Sequence, residues 1–466
     1  MFSAVKALIR AWLPGLALIA PLFCVCAAGL AQPAGEEASK APPILTSLAS
    51  GEEEAAPNLK AGVLHLHLPG SPNYLLVDDF DGNGRLDLAL TSHAGNLSRI
   101  YFQREPRQWQ AGPVVTEVGF HPGELLRVPA EGDVRRYIMF AEGEAKLLVM
   151  SPTGEGGLSV AAQAYTQFPR SGAWFRWPGW ALGLAVAPFR QPAIMLAKNF
   201  QPTTAGAEDT AALSFTPAYA MLEQVAAADL DGDGADEILF VPSGGNQLWV
   251  IRYPGADAQP TSQVLWTFPR GVRARFVIPA DIDQDGDMDL IVPDETERPG
   301  GSETTALNIL INDGSGGWQP HCVPIPTRTR AKGGMTGIRG FAFGVDQDGL
   351  GYALAAGYER LTLIQFPSGW DGESHTLRQI ALGEQTAMPA AALQDLDGDG
   401  WLDAVLAGGI GDMLGGIVIH GPLWKNFADL DAEDLVTPIT HVGGDEAGMP
   451  PSIGVEAPIP AESAAE

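Results

Sequence analysis

The stretch Ala280-Asp281-Ile282-Asp283-Gln284-Asp285-Gly286-Asp287-Met288-Asp289-Leu290-Ile291-Val292 decides how this chain is read. Five aspartates fall within nine residues and run straight into an aliphatic strand. Close carboxylates repel by about 1 kcal/mol per pair even in water, and a bound cation is the simplest reason to gather them. The spacing recurs. It is found in Asp79-Phe80-Asp81-Gly82-Asn83-Gly84-Arg85-Leu86-Asp87 and in Asp229-Leu230-Asp231-Gly232-Asp233-Gly234-Ala235-Asp236-Glu237. A further copy is Asp395-Leu396-Asp397-Gly398-Asp399-Gly400-Trp401-Leu402-Asp403.

Oxygen-bearing side chains occupy positions 1, 3, 5 and 9 of each loop. They are Asp79, Asp81, Asn83 and Asp87 in the first, and Asp229, Asp231, Asp233 and Glu237 in the second. Asp281, Asp283, Asp285 and Asp289 follow, then Asp395, Asp397, Asp399 and Asp403. Position 6 is always glycine (Gly84, Gly234, Gly286, Gly400), which permits the left-handed backbone a loop needs to wrap an ion. Position 7 can add a backbone carbonyl. Hard oxygen donors without His or Cys favour Ca²⁺ over Zn²⁺ or Mg²⁺, so up to four Ca²⁺ sites are expected. An EF-hand is excluded. It needs a bidentate Glu at position 12 between helices, whereas Leu90, Phe240, Val292 and Leu406 stand there, inside apolar strands.

The copies also set a period. Asp229 and Asp281 are 52 residues apart, and Asp281 and Asp395 are 114 apart, two units. The unit between them survives as Gly344-Val345-Asp346-Gln347-Asp348-Gly349. Two more eroded units fit between Asp79 and Asp229. One is read at Glu124 to Phe140 and the other at Ala181 to Lys198, with its polar loop at Pro188 to Pro192. Further strands recur at similar offsets, at Asn96–Phe102, Lys146–Met150, Gln247–Tyr253, Leu307–Asn312, Arg360–Phe366 and Gly416–His420. Seven four-stranded units of roughly 50 residues predict an all-β fold, a seven-bladed β-propeller. Either Val63–Leu68 or Leu435–His441 could supply the strand that closes the ring.

The motif Asp-x-Asp-x-Asp-Gly-x-x-Asp followed by an aliphatic strand resembles the FG-GAP/VCBS repeats of integrin-α-type β-propellers, in a bacterial-like secreted form. The resemblance spans residues 61–442. It implies Ca²⁺ between the first and second strands of a blade, with a structural role. It also implies that partners meet the opposite face or the loops between blades. The units near 129, 187 and 344 depart from the motif, which leaves metal binding there open.

The two ends of the chain read differently. Lys6 and Arg10 precede an apolar run, Ala11–Leu30, and small residues lead to a cleavage site before Gln32. Residues 1–31 are therefore expected to be a signal peptide or, uncleaved, an anchor. Residues 32–60 form an Ala/Pro/Glu-rich linker and 443–466 an acidic tail. The expected location is extracellular, periplasmic or at the cell surface, with a membrane engaged only through an uncleaved N-terminal segment. Cys24 and Cys26 would leave with the signal, so Cys322 would remain alone, expected as a buried small residue.

A net charge of −28 argues against nucleic acid, because few cations are available to neutralise phosphates. No His-Glu-x-x-His, Gly-x-Ser-x-Gly, phosphate loop or dinucleotide glycine pattern is present. His65 and His67 lack a third metal ligand in sequence. Trp174, Arg176, Trp177 and Trp180 form the densest aromatic cluster, either a surface for a protein or glycan ligand or packing between blades two and three. Two functions remain in view. One is a Ca²⁺-stabilised binding or adhesion scaffold. The other is a polysaccharide-active lyase or hydrolase, whose mark would be a central pocket lined by His, Arg, Tyr or paired carboxylates away from the acidic loops.

Overall fold

The strands that leave the acidic loops are buried along their whole length. Asp87–Ser92, Glu237–Pro242 and Asp289–Pro293 expose no residue. A strand buried on one face would alternate apolar and polar residues; these do not, so both faces must be covered. The computed structural model supplies the cover. It describes residues 63–430 and Leu435, apart from short segments at 69, 71, 130–134, 155, 190, 208, 215–220, 244, 256–257, 270–271, 295–303, 327–336, 358–359, 383–385 and 411–412. The expected signal, linker and acidic tail lie outside the described residues.

Seven antiparallel sheets of four strands form the blades of a propeller. The first strands are Tyr74–Asp78, Pro122–Arg127, Pro169–Phe175, Leu222–Ala228, Ile278–Ala280, Ile338–Val345 and Thr386–Gln394. Each pairs with a second strand that follows it in the chain. Seven hydrophobic clusters hold the blades, one in each space between neighbours. The cluster of Leu66, Leu88, Leu90, Val405 and Val418, for example, joins the last blade to the first. The others join blades one and two, two and three, and so on round to six and seven. Every second strand is thus sandwiched, which is why its sequence reads as an unbroken apolar run. The outer strands face water on one side: Gln108–Val115 buries only Gly112 and Val115.

Ring closure falls to Val63–His67. It runs antiparallel to Met413–Ile419, with Val63 opposite Ile419 and His67 opposite Gly415. The rival segment does not take that place in the described residues. Leu435 is fully buried against blades six and seven, and 436–441 lie outside the described residues. A short helix that the period did not predict, Leu423–Asp429, follows the last strand and buries Leu423 and Phe427, one turn apart, in the same cluster.

Two expectations are corrected. Cys322 is exposed, because strand parity on Trp318–Pro326 turns Val323 and Ile325 inward instead. In blade three, the loop between first and second strands is not Pro188–Pro192. Gly183–Pro188 and Ala193–Lys198 are the second and third strands, so that segment is the next turn. The true equivalent of the acidic loop is Arg176–Leu182, the tryptophan cluster itself. Strand–polar–strand reads alike for either hairpin, and without the aspartates nothing fixes the register by one strand.

Candidate metal loops and an axial pocket

Each acidic loop is wound by its own backbone around the first aspartate. Asp395 Oδ1 accepts from the N–H groups of Gly398 (2.8 Å) and Asp399 (3.1 Å), and Oδ2 from Gly400 (2.9 Å). Asp79 does the same with Gly82, Asn83 and Gly84. The position-6 glycines sit at φ of 84°, 87°, 101° and 88°, the left-handed geometry the motif predicts. Position 5 closes a local turn: Asn83 Oδ1 accepts from Arg85 N–H, and Asp233, Asp285 and Asp399 repeat this two residues on.

Position 9 has a further job. Asp289 is fully buried; its Oδ2 accepts from Ile282 N–H (2.8 Å) and its Oδ1 from Asn312 N–H (2.8 Å). Asp87 grips Phe80 and Gln103 in the same way, and Asp403 grips Leu396 and Gly421. The carboxylate therefore staples the loop and the third strand to the start of the second. Burial pushes Asp87 up to about 6, and Glu237 and Asp289 each up to about 7, against the N–H bonds that favour ionisation.

The loops gather oxygen atoms within 4.8 Å of one another. The groups are Asp79, Asp81 and Asp87; Asp229, Asp231 and Glu237; Asp281, Asp283 and Asp285; and Asp395, Asp397 and Asp399. These are hard oxygen donors of the kind Ca²⁺ prefers, three carboxylates toward its six to eight ligands. Asp229 Oδ1 is buried with no hydrogen-bond partner, an arrangement a cation would repair. The donor sets thus fit the ion. The blade-six remnant fits less well: Asp346 Oδ1 closes a turn onto Asp348 and Leu350 N–H and Oδ2 is buried unpaired, but no group of three ligating side chains gathers there among the described residues.

The four loops differ in their neighbours, which the motif did not reveal. Arg107, on the outer hairpin of blade one, pairs with Asp397 and, at 2.9 Å, with Asp399 of blade seven. Arg104 pairs with Asp81, and Arg135 with Asp79 at 3.0 Å. In blade four Arg252 lies 3.6 Å from Glu237, and Arg176 pairs with Asp236, a loop residue outside the four ligand positions. Among the described residues no basic side chain pairs with Asp281, Asp283 or Asp285. His420, also unforeseen, lies with Nδ1 3.3 Å from Asp403.

The tryptophan cluster is mostly spent inside. Trp177 is 3% exposed, donates to the Asp236 carbonyl (2.8 Å) and packs with Trp180 and Phe175 between blades three and four. Trp174 packs between blades two and three, and its indole donates to the Arg127 carbonyl (2.6 Å). Arg176 is exposed but holds Asp236 through two nitrogens, at 2.7 and 3.2 Å.

At the other end of the first strands, where they begin, a cavity of about 350 Å³ lies on the ring axis, lined by residues of all seven blades. Its wall carries Tyr74, Glu124, Arg170, Glu223, Arg275 and Arg339. Arg170 holds Glu142 (2.8 Å) and Glu223, and Arg275 shares Glu223 (3.1 Å). Glu124 accepts from the Ser171 hydroxyl (2.7 Å), and burial pushes its carboxyl up to about 7. Burial likewise pushes the Tyr74 phenol up, so it stays protonated at neutral pH. No sequence window shows this cluster, since its members are a blade apart. The available signal was weak: a charged residue at the second or third position of the first strand in four blades, at Glu124, Arg170, Glu223 and Arg339.

A family model for the FG-GAP-like repeat matches residues 229–292, from the first aspartate of the blade-four loop into the second strand of blade five. That match and the seven four-stranded blades fit an FG-GAP repeat β-propeller protein. Among solved structures, a putative 6-phosphogluconolactonase from Bacteroides uniformis is similar at 14% identity and a TM-score of 0.46, covering 69% of this chain and 89% of that one. No curated protein matches the sequence.

Proposed function

We propose that this chain is an exported calcium-binding propeller serving as a binding or adhesion scaffold, with Ca²⁺ acting structurally. The observation that carries the reading is the Asp229 loop. It gathers three carboxylates, leaves a buried oxygen unpaired and ties the first strand of a blade to the second. Export rests on the N-terminal run after Lys6 and Arg10. Chelation with EGTA is expected to lower the melting temperature by about 10 °C, and excess Ca²⁺ to restore it, since each occupied site adds about 2.7 kcal/mol at a hundredfold excess over its Kd. A melting curve indifferent to both would remove calcium from the proposal.

The guanidinium groups grade the sites. Blades four and five should bind Ca²⁺ more tightly than blades one and seven, where arginines compete. Trp401 sits inside the blade-seven loop and can sensitise Tb³⁺ luminescence there. Arg107→Ala is expected to shift that titration to about fivefold lower Tb³⁺, the worth of an exposed ion pair. An unchanged titration would show that Arg107 does not compete.

The axial pocket favours a second reading, a polysaccharide-active enzyme, because Tyr74, Arg170 and the carboxylates Glu124 and Glu223 meet there, away from the acidic loops.

A further inference from the structure

We propose that blade seven, unlike the other three acidic loops, holds a transition-metal dication of the Zn²⁺ class, bound by Asp397, Asp403 and His420. Their donor atoms lie within 4.8 Å of one another. The site is built inside the fold: the side chains are 3%, 0% and 5% exposed. His420 Nδ1 lies 3.3 Å from Asp403 Oδ1 and 4.0 Å from Asp397 Oδ2, yet it has no hydrogen-bond partner. A buried polar atom left unpaired is costly, and a cation shared by the ring and both carboxylates removes that cost.

Strand register singles out this blade. The pairs Leu88–Tyr101, Ile238–Ile251, Leu290–Leu310 and Ala404–Ile419 each stand one step from position 9 of a loop. The residues facing position 9 are therefore Phe102, Arg252, Ile311 and His420. Phenyl and aliphatic groups ligate nothing and a guanidinium repels a cation, so of the four loops blade seven alone gains a nitrogen donor. Asn426, from the short helix, fixes the backbone there by donating to the His420 carbonyl (2.6 Å). His420 lies 17 residues beyond Asp403, so the nine-residue motif does not contain it.

Donor chemistry then chooses the ion. Ca²⁺ takes oxygen ligands, whereas imidazole suits Zn²⁺ and its neighbours. Bonds of about 2.1 Å in a tetrahedron hold donors roughly 3.4 Å apart, a value the two His420 separations bracket. Asp403 Oδ1 already accepts from Gly421 N–H (2.7 Å), but a carboxylate oxygen keeps a second lone pair for a metal. Arg107 pairs with Asp397, yet it is 45% exposed and also holds Asp399 at 2.9 Å. It can keep Asp399 while a cation takes Asp397.

This inference goes beyond the calcium reading and does not rest on it. The test is calorimetric titration of the untagged protein with Zn²⁺ in excess Ca²⁺, with X-ray absorption at the zinc edge. One saturable site is expected, with zinc held by one imidazole and by oxygens. His420→Ala should weaken Zn²⁺ by at least about tenfold, and His93→Ala should bind it like wild type. If His420→Ala fails to fold, the wild-type zinc spectrum still decides. Absence of saturable Zn²⁺ binding overturns the proposal, as does zinc held by oxygens alone. Two imidazoles on zinc, or loss of binding in His93→Ala, would place the ion at the His93–His121 pair instead, whose rings are 4.6 Å apart. A folded His420→Ala that binds like wild type is equally fatal. Such a failure leaves the Ca²⁺ melting result standing, and an absent Ca²⁺ effect does not bear on the zinc titration.

Discussion

Asp289→Ala is expected to destabilise the protein by about 3 kcal/mol, and to do so in EGTA as well as in Ca²⁺. The carboxylate is fully buried and accepts one backbone N–H at each oxygen, from Ile282 and from Asn312. Truncation leaves both donors buried and unpaired, at about 1–3 kcal/mol each. The damage spreads beyond one blade, because the Asn312 side chain reaches the Leu230 carbonyl of blade four at 2.7 Å. Asp289→Asn retains one carbonyl acceptor and should lose about half as much. Urea denaturation in both buffers checks this. A loss seen only with Ca²⁺ would make Asp289 a ligand and nothing more.

Calcium should stabilise this protein far more at pH 8 than at pH 5. Without a cation, the folded-state pKa values of Asp87, Glu237 and Asp289 are raised to about 6, 7 and 7 by burial. Unfolded carboxyls titrate near 4. The folded state therefore holds protons the unfolded state has released, so the metal-free protein loses stability as pH rises from about 4 through 7. A Ca²⁺ ion replaces those protons and removes the loss. The gap between melting temperatures in Ca²⁺ and EGTA is expected to widen by about 5 °C or more over that range. A constant gap would mean that the buried carboxylates are ionised without metal.

The staple and the proposed metal site are two uses of one residue type, and only the second was legible in sequence. Position 9 carries an acid in all four loops because an oxygen is needed there, yet spacing alone cannot say whether a cation or a backbone N–H takes it. The structure shows the N–H groups at both oxygens of Asp87, Asp289 and Asp403.

The number of blades, their strands and the position of each acidic loop were fixed by local chemistry. Aspartates at alternate positions, a glycine at position 6 and an apolar run after position 9 are features of nine to fifteen consecutive residues. Blade three shows where that legibility ends: its loop, Arg176–Leu182, holds tryptophans instead of aspartates, and the strand–polar–strand pattern one hairpin later looks the same in sequence. Tertiary structure alone decided three matters. It chose Val63–His67 to close the ring, because pairing with Met413–Ile419 joins residues some 350 positions apart. It put Arg107 of blade one against the aspartates of blade seven. It brought Glu124, Arg170, Glu223 and Arg275 to one axis. Each is a meeting of groups a blade or more apart in the chain, set by the circular geometry of the ring and by no local pattern.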